Sequence, residues 1–496
     1  MRLFIACSVA FSLLFSPPCD AADQPQWGQA WTRNMVSPEK GVPSGFDPQT
    51  KAHIKWVAAL GTQSYSTPTI SKGKVFIGTN NDDPRDPTNI GDRGVLMCLD
   101  DETGELLWQL VVPKRTEDPF HDWPKTGMSS PATVEGNSVY MVDNRGVLLS
   151  LDINGQQNGN QGPFMDEGTY FSEDKSHPRE IGKRDADILW ACDLTKEAGI
   201  WSHDGAHSSV MIDGNYLYLN SGTGVDNTHK VIRTPEAPSL VVVDKRTGRL
   251  VAQDNEKFAT NIFHCTWSSP SMAELAGFRT VVFCGGNGVI YGFEPIRESS
   301  SLSRDFLKKR WEFDFDPTAP KEDIHKYSGN KRESPSNIFG MPVVQGDKIY
   351  VAGGGDLWWG KNVAWLKCIS IPKTPTGKPQ LLWSYPLEKH VMATPAIYEG
   401  MIFIPDCGRK MHCIDQSTGK VIWTHDITGE AWASALVCDK KVYVGTRSGE
   451  FLVFAASRTK QLLATLQLGN PINATPTVAN GTLYVGTMKE LFAIRK

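Results

Sequence analysis

The densest polar constellation in this 496-residue chain is His203-Asp204-x-x-His207. A neutral imidazole binds metal or moves protons, and an adjacent carboxylate orients it. Histidines four residues apart converge only on a helix, and this stretch runs into a strand. The spacing therefore predicts a hydrogen-bonding role and assigns no metal; a metal would need a further ligand from a distant part of the chain. The run Asp152-Ile-Asn154-Gly-Gln156-Gln-Asn158 places oxygen side chains at alternate positions, as a calcium loop does. Gln157 stands where such a loop requires Gly, and no Glu closes it, so a polar Asn-Gly turn is the simpler reading. The Gly clusters 285–288 and 353–355 follow strands with no helix after them, which makes them tight turns and not phosphate loops. No Ser-His-Asp order and no paired carboxylates stand out.

The elements that position these residues come from repetition. A phrase of small residues, often Ser/Thr-Pro, recurs at 66–68, 129–131, 207–209, 268–270, 340–342, 393–395, 433–435 and 474–476. Apolar strands follow each copy, and a Gly turn follows most of them. Asp-x-x-Thr-Gly closes three of them, at 100–104, 244–248 and 415–419, with Trp108 and Trp423 four residues after the first and last Gly. Repeats of this length, all β and rich in Gly turns, predict an all-β, eight-bladed β-propeller of four-stranded blades. The last copy supplies three strands, so the strand at 53–60 is expected to complete it and close the ring by pairing the two ends of the chain.

Residues 1–22 read as a signal peptide: Arg2, an apolar run from Leu3 to Phe15, and small residues at Ala21–Ala22. Pro17–Pro18 makes Cys19 a poor lipid-anchor cysteine. Residues 23–52, with Trp27 and Trp31, are expected to pack as an extension on the outside of the propeller, which fills 53–496. Cleavage places the protein in the periplasm or outside the cell. There, Cys98, Cys368 and Cys413 occupy equivalent third-strand places as buried thiols, and Cys407 and Cys413 flank a hairpin that a bridge would span. A net charge of −4 with mixed signs gives no support for nucleic acid, and no segment is long enough to cross a bilayer. A monomer is expected.

Six insertions, at 80–93, 113–127, 195–206, 220–239, 314–339 and 353–364, fall on one face by the order of strands within a blade. Long loops on a rigid scaffold carry function. This face gathers Trp123, Trp201, His203, His264, Trp358, Trp359 and His390 as a recognition surface for a small molecule or a protein. The residues before the inner strands, Tyr65, Met128, His207, Trp267, Phe339, Met392, Trp432 and Asn473, ring the axial mouth. They either plug it or stack on a flat ligand.

The phrase Asp100–Trp108, repeated at Asp415–Trp423, resembles the tryptophan-docking repeat of pyrroloquinoline quinone (PQQ) propellers, and the likeness extends over nearly the whole mature chain. Ala252 replaces the Trp in the third blade, and Asn154-Gly155 interrupts the phrase in the second. The resemblance implies a fold like that of the quinoprotein alcohol dehydrogenases. One arm of that family oxidises alcohols or sugars with PQQ and calcium at the axis. In that arm Tyr65, His207, Trp267, Trp432 and Asn473 would contact the quinone, and Asp204 or Asp356 would act as base. Adjacent cysteines, found in many alcohol-oxidising members, are missing here. The other arm binds or scaffolds, and includes the outer-membrane barrel-assembly lipoprotein. Tyr65-Ser-Thr-Pro, Trp267-Ser-Ser-Pro and Gly222-Thr-Gly-Val-Asp226 look most like exported members of this second arm that have no assigned role. Binding or scaffolding is the favoured expectation.

Overall fold

A computed structural model describes residues 22–115, 117, 121, 123–205, 208–297 and 304–496. The leader expected at 1–22 therefore lies almost wholly outside the described residues, as does His207. Eight sheets form the eight blades. The first is Thr69–Ser71, Lys74–Asn80, Arg93–Asp100 and Leu106–Pro113, in that order from axis to rim. In the eighth, Thr477–Ala479, Thr482–Gly486 and Glu490–Ile494 are completed by Ile54–Ala59, which pairs antiparallel with Glu490–Ile494. The ring closes as the repeat count requires.

Alternation along each strand divides its side chains between two neighbouring blades. Phe76, Leu96, Cys98 and Leu110 of the first blade pack with Met141, Leu149 and Leu151 of the second. Their sequence neighbours Val75, Ile77, Val95 and Met97 pack with Tyr484 and Leu491 of the eighth. The middle strands of the blades, such as Val147–Asp152, Leu240–Asp244 and Met401–Pro405, are thus buried on both faces and read as apolar runs, while rim strands such as Leu462–Gln467 stay largely exposed.

The docking tryptophans lock one blade to the next. Trp108 Nε1 donates to the Ile153 carbonyl at 3.0 Å, and Trp423 Nε1 to that of Ser457 at 3.0 Å. Trp56, Trp190 and Trp383 do the same toward Asp101, Lys245 and Gln416. The Gly of the phrase is where the ring rests: a Cβ on Gly104 (φ 75°) would lie 2.6 Å from the Trp56 indole. Gly155 serves Trp108 in the same way, so the interrupted phrase of the second blade keeps its docking function. Cys98, Cys368 and Cys413 each sit opposite a docking Trp in register (Trp108, Trp383, Trp423). All eight described cysteines are buried free thiols, so the bridge considered for Cys407 and Cys413 is not formed.

The segment before Ile54 corrects an expectation. Instead of lying against the outer wall, it crosses from one inner strand to the next around the axis. Gln24 bridges Ile70, and the Pro25 carbonyl accepts from Val134 N at 2.8 Å. The Trp31 and Thr32 carbonyls accept from Met272 N and Val344 N at 2.9 and 3.0 Å. Val36–Ser37 then lies parallel to Leu436–Cys438. An inner strand presents unpaired backbone groups to the axis, and this segment satisfies them. Arg33, fully buried, is the pin: Nε donates to Pro270 O at 2.9 Å and Nη2 to Ser209 O at 2.9 Å. Burial pushes its guanidinium down to about 9.

Candidate functional site

The axial mouth opens into a cavity of about 450 Å³. Its wall includes Tyr65, Trp267, Phe339, Met392, Trp432 and Asn473, all placed there by their position before an inner strand. These residues line an open funnel and do not fill it. Trp27, from the crossing segment, also lines it and is buried; no repeat phrase marks that residue. Rings meet alternately by face and edge. Tyr65 stacks on Trp432 at 6.4 Å between centroids, and Trp358 stands perpendicular to both Trp432 and Trp267 at 5.7 and 5.8 Å. On the side of the seventh blade, the Arg447 guanidinium lies 3.6 Å over the Trp432 ring. Trp432 Nε1, Arg447 Nη1 and Asn473 Oδ1 are buried atoms with no hydrogen-bond partner.

Trp123, Trp358 and Trp359 reach the same cavity from inserted loops and stay partly exposed, at 45%, 38% and 36%. Two other face residues do not come to it. Trp201 meets His121 edge-on at 5.2 Å beneath the Arg233 guanidinium at 4.0 Å. His390 is buried, bonded through Nδ1 to Gly355 O at 2.9 Å and through Nε2 to Asn362 Oδ1 at 3.2 Å. It secures the base of the loop that carries Trp358 and Trp359.

Opposite Trp432, three loops bring imidazoles together. His203 and Asp204 come from the join between the second and third blades, His229 from the insertion at 220–239, and His264 from the join between the third and fourth. Ring centroids of His203 lie 4.9 Å from His229 and 5.0 Å from His264. Asp204 Oδ2 is 3.3 Å from His203 Nε2 and 3.7 Å from His264 Nε2. Asp204, His229 and His264 line the cavity. The spacing of His203 and His207 drew attention to this stretch, but the partners of His203 are residues 26 and 61 positions further on. The packing of neighbouring blades sets that proximity, and no local spacing reveals it.

Asp356 stands behind the cluster. Its Oδ2 pairs with His264 Nδ1 at 2.8 Å, and Oδ1 accepts from Trp358 N and Trp359 N at 2.9 and 2.8 Å. It is fully buried and is not among the residues lining the cavity, so of the two carboxylates expected as bases only Asp204 faces the cavity. Burial pushes both carboxyls up, yet the groups beside them prevail. His203 and His264 hold Asp204 well below the usual carboxylate range; His264 and two backbone N–H groups lower Asp356. His229 is lowered by burial and by the two imidazoles beside it.

The calcium-bound quinone implied by the family resemblance meets the wrong donors here. Calcium takes about six to eight oxygen ligands. The cluster offers three imidazole nitrogens beside one carboxylate. Among the described residues lining the cavity there is no Lys or Arg to pair the three carboxylates of PQQ. The residues do not fit that pair.

The PQQ-repeat family model described as outer membrane protein assembly factor BamB matches residues 21–353 and 412–495. BamB from Moraxella catarrhalis superposes with a TM-score of 0.54 at 12% identity, covering 89% of this chain and 97% of that one. A europium-containing methanol dehydrogenase superposes with a TM-score of 0.58 at 10% identity, covering 97% and 99%. At such identities the likeness is one of fold. A 1-butanol dehydrogenase (cytochrome c) of Thauera butanivorans is 27% identical over 133 residues, which is 23% of this chain and 19% of that relative. The chain thus matches about a fifth of the length of that curated relative.

Proposed function

Because the chain belongs to the BamB-type family of PQQ-repeat propellers, we propose that it is an exported binding module whose aromatic funnel holds a small planar ligand with a carbonyl edge. The observation that carries this reading is the axial cavity of about 450 Å³, walled by tryptophans, Trp27 among them. A narrow concave site suits a small molecule better than the broad surface of a protein partner. A buried donor without a partner attracts an acceptor, and Trp432, which lines the funnel, holds such a donor at Nε1. A carbonyl on the ligand accepts from that donor while its ring stacks on the aromatic wall. Export is supported by the apolar run from Leu3 to Phe15 behind Arg2. Among the described residues, no helix is long and apolar enough to cross a membrane.

The second reading, a PQQ- and calcium-dependent oxidoreductase, has the methanol dehydrogenase fold and the short butanol dehydrogenase match in its favour. The donor set described above speaks against it. A thermal-shift screen of uncharged planar heterocycles, with and without a ring carbonyl, tests the first reading. Carbonyl-bearing rings should raise the melting temperature of the wild-type chain and leave Trp432→Ala unmoved. Stabilisation by PQQ with calcium, and by none of the screened rings, would replace this reading with the second.

A further inference from the structure

We infer that His203, His229, His264 and Asp204 form a mononuclear site for a divalent first-row transition metal, of the zinc or copper class, in the wall of the funnel. One ligand atom from each of the four residues lies within 4.8 Å of all the others. A tetrahedral ion with bonds of about 2.1 Å has ligand atoms about 3.4 Å apart. The measured separations from Asp204 Oδ2, 3.3 and 3.7 Å, bracket that edge. Nitrogen donors with a single carboxylate suit zinc, copper or iron and not calcium or magnesium.

A purely structural polar cluster would be satisfied internally. This one is not. His203 and His264 are buried, at 1% and 2% exposed. Their Nε2 atoms face Asp204 at ion-pair distance without making a hydrogen bond. The tautomer needed for ligation is fixed from behind, because His264 Nδ1 is paired with Asp356, leaving the Nε2 lone pair for the ion. Asp356 is in turn held by the backbone N–H groups of Trp358 and Trp359. A metal-bound imidazole whose other nitrogen is held by a carboxylate is the usual support of a metal site. Asp204 and His229 also hold left-handed backbone, with φ of 56° and 58°, a conformation that non-glycine residues adopt at a cost. Because three of the four residues line the cavity, a ligand entering the funnel reaches the ion.

Chelator-stripped mature chain without a histidine tag, dialysed against zinc or cobalt(II), tests the site in the absence of any organic ligand, so its outcome is separate from the funnel reading. One equivalent of metal should remain, cobalt should give the intense visible bands of a low-coordinate site, and calcium should not compete. The half-buried His229 is the safest ligand to remove: His229→Ala should keep the wild-type melting temperature of the metal-free protein and lose more than about 10-fold in affinity. Asp356→Asn should weaken binding by roughly 10–100-fold while cobalt keeps its spectrum. Failure to retain metal, or a loss smaller than about 10-fold in His229→Ala, would overturn the assignment.

Discussion

The blades built from residues 396–494 and the loops inserted between residues 113 and 364 use the same repeat for different ends. In the former, strands such as Met401–Pro405, Lys410–Asp415 and Val421–Asp426 follow one another through short turns, and Trp423 docks on the next blade. In the latter, joins and second-to-third-strand loops lengthen, and His203, His229, His264, Asp356, Trp358 and Trp359 all come from them. The regular side contributes Trp432 and Asn473 at the mouth, residues whose place follows from the repeat itself. The ring is therefore a stage whose stability comes from uniform contacts, while its chemistry comes from departures on one face.

Substitutions separate the two roles. The largest effect belongs to the uniform contacts: Trp108→Ala removes a fully buried docking ring and should cost about 3–5 kcal/mol in denaturant unfolding. Arg33→Met, at the crossing segment, strands carbonyls of Pro270 and Ser209 and should cost about 1.5–3 kcal/mol by the same measurement. Asp187 gives a pH-dependent test. It is fully buried beside Gln161, whose backbone N–H donates to Oδ2 at 2.9 Å, and burial pushes its carboxyl up from 3.8 to about 7. Between those values the unfolded chain has lost the proton that the folded chain keeps, so stability falls as pH rises through the window. Asp187→Asn should accordingly raise the melting temperature at pH 8 and leave it nearly unchanged at pH 3. The smallest stability effect is expected on the elaborated face: Trp358→Ala with Trp359→Ala should shift unfolding by less than about 1 kcal/mol yet abolish ligand capture. A large fall in stability there would show that those rings belong to the ring's core.

The sequence made the blades readable because their constraints are local. A Gly with positive φ, such as Gly104 or Gly419, and a Trp four residues later sit within one turn and strand. Trp56, Trp190 and Trp383 dock in the same way but are harder to recognise, since no Asp-x-x-Thr-Gly phrase ends four residues before them. The crossing segment was misread for a related reason. Its bonds go one by one to seven distant inner strands, and no periodicity records them. Most of the aromatic mouth was legible, Tyr65 and Trp267 among them, because position before an inner strand is a repeat property. The imidazole cluster was not, since His203, His229 and His264 meet through the curvature of the ring, and Trp27 arrives from outside the repeats altogether.

The most direct test of the account is a tryptophan-fluorescence titration of the mature chain with acridone, a planar uncharged ring with one carbonyl, beside PQQ with and without calcium. The account predicts saturable quenching by acridone that is lost in Trp432→Ala, and no calcium-dependent response to PQQ. Calcium-dependent, saturable quenching by PQQ with none by acridone would contradict it and make the funnel a quinone site.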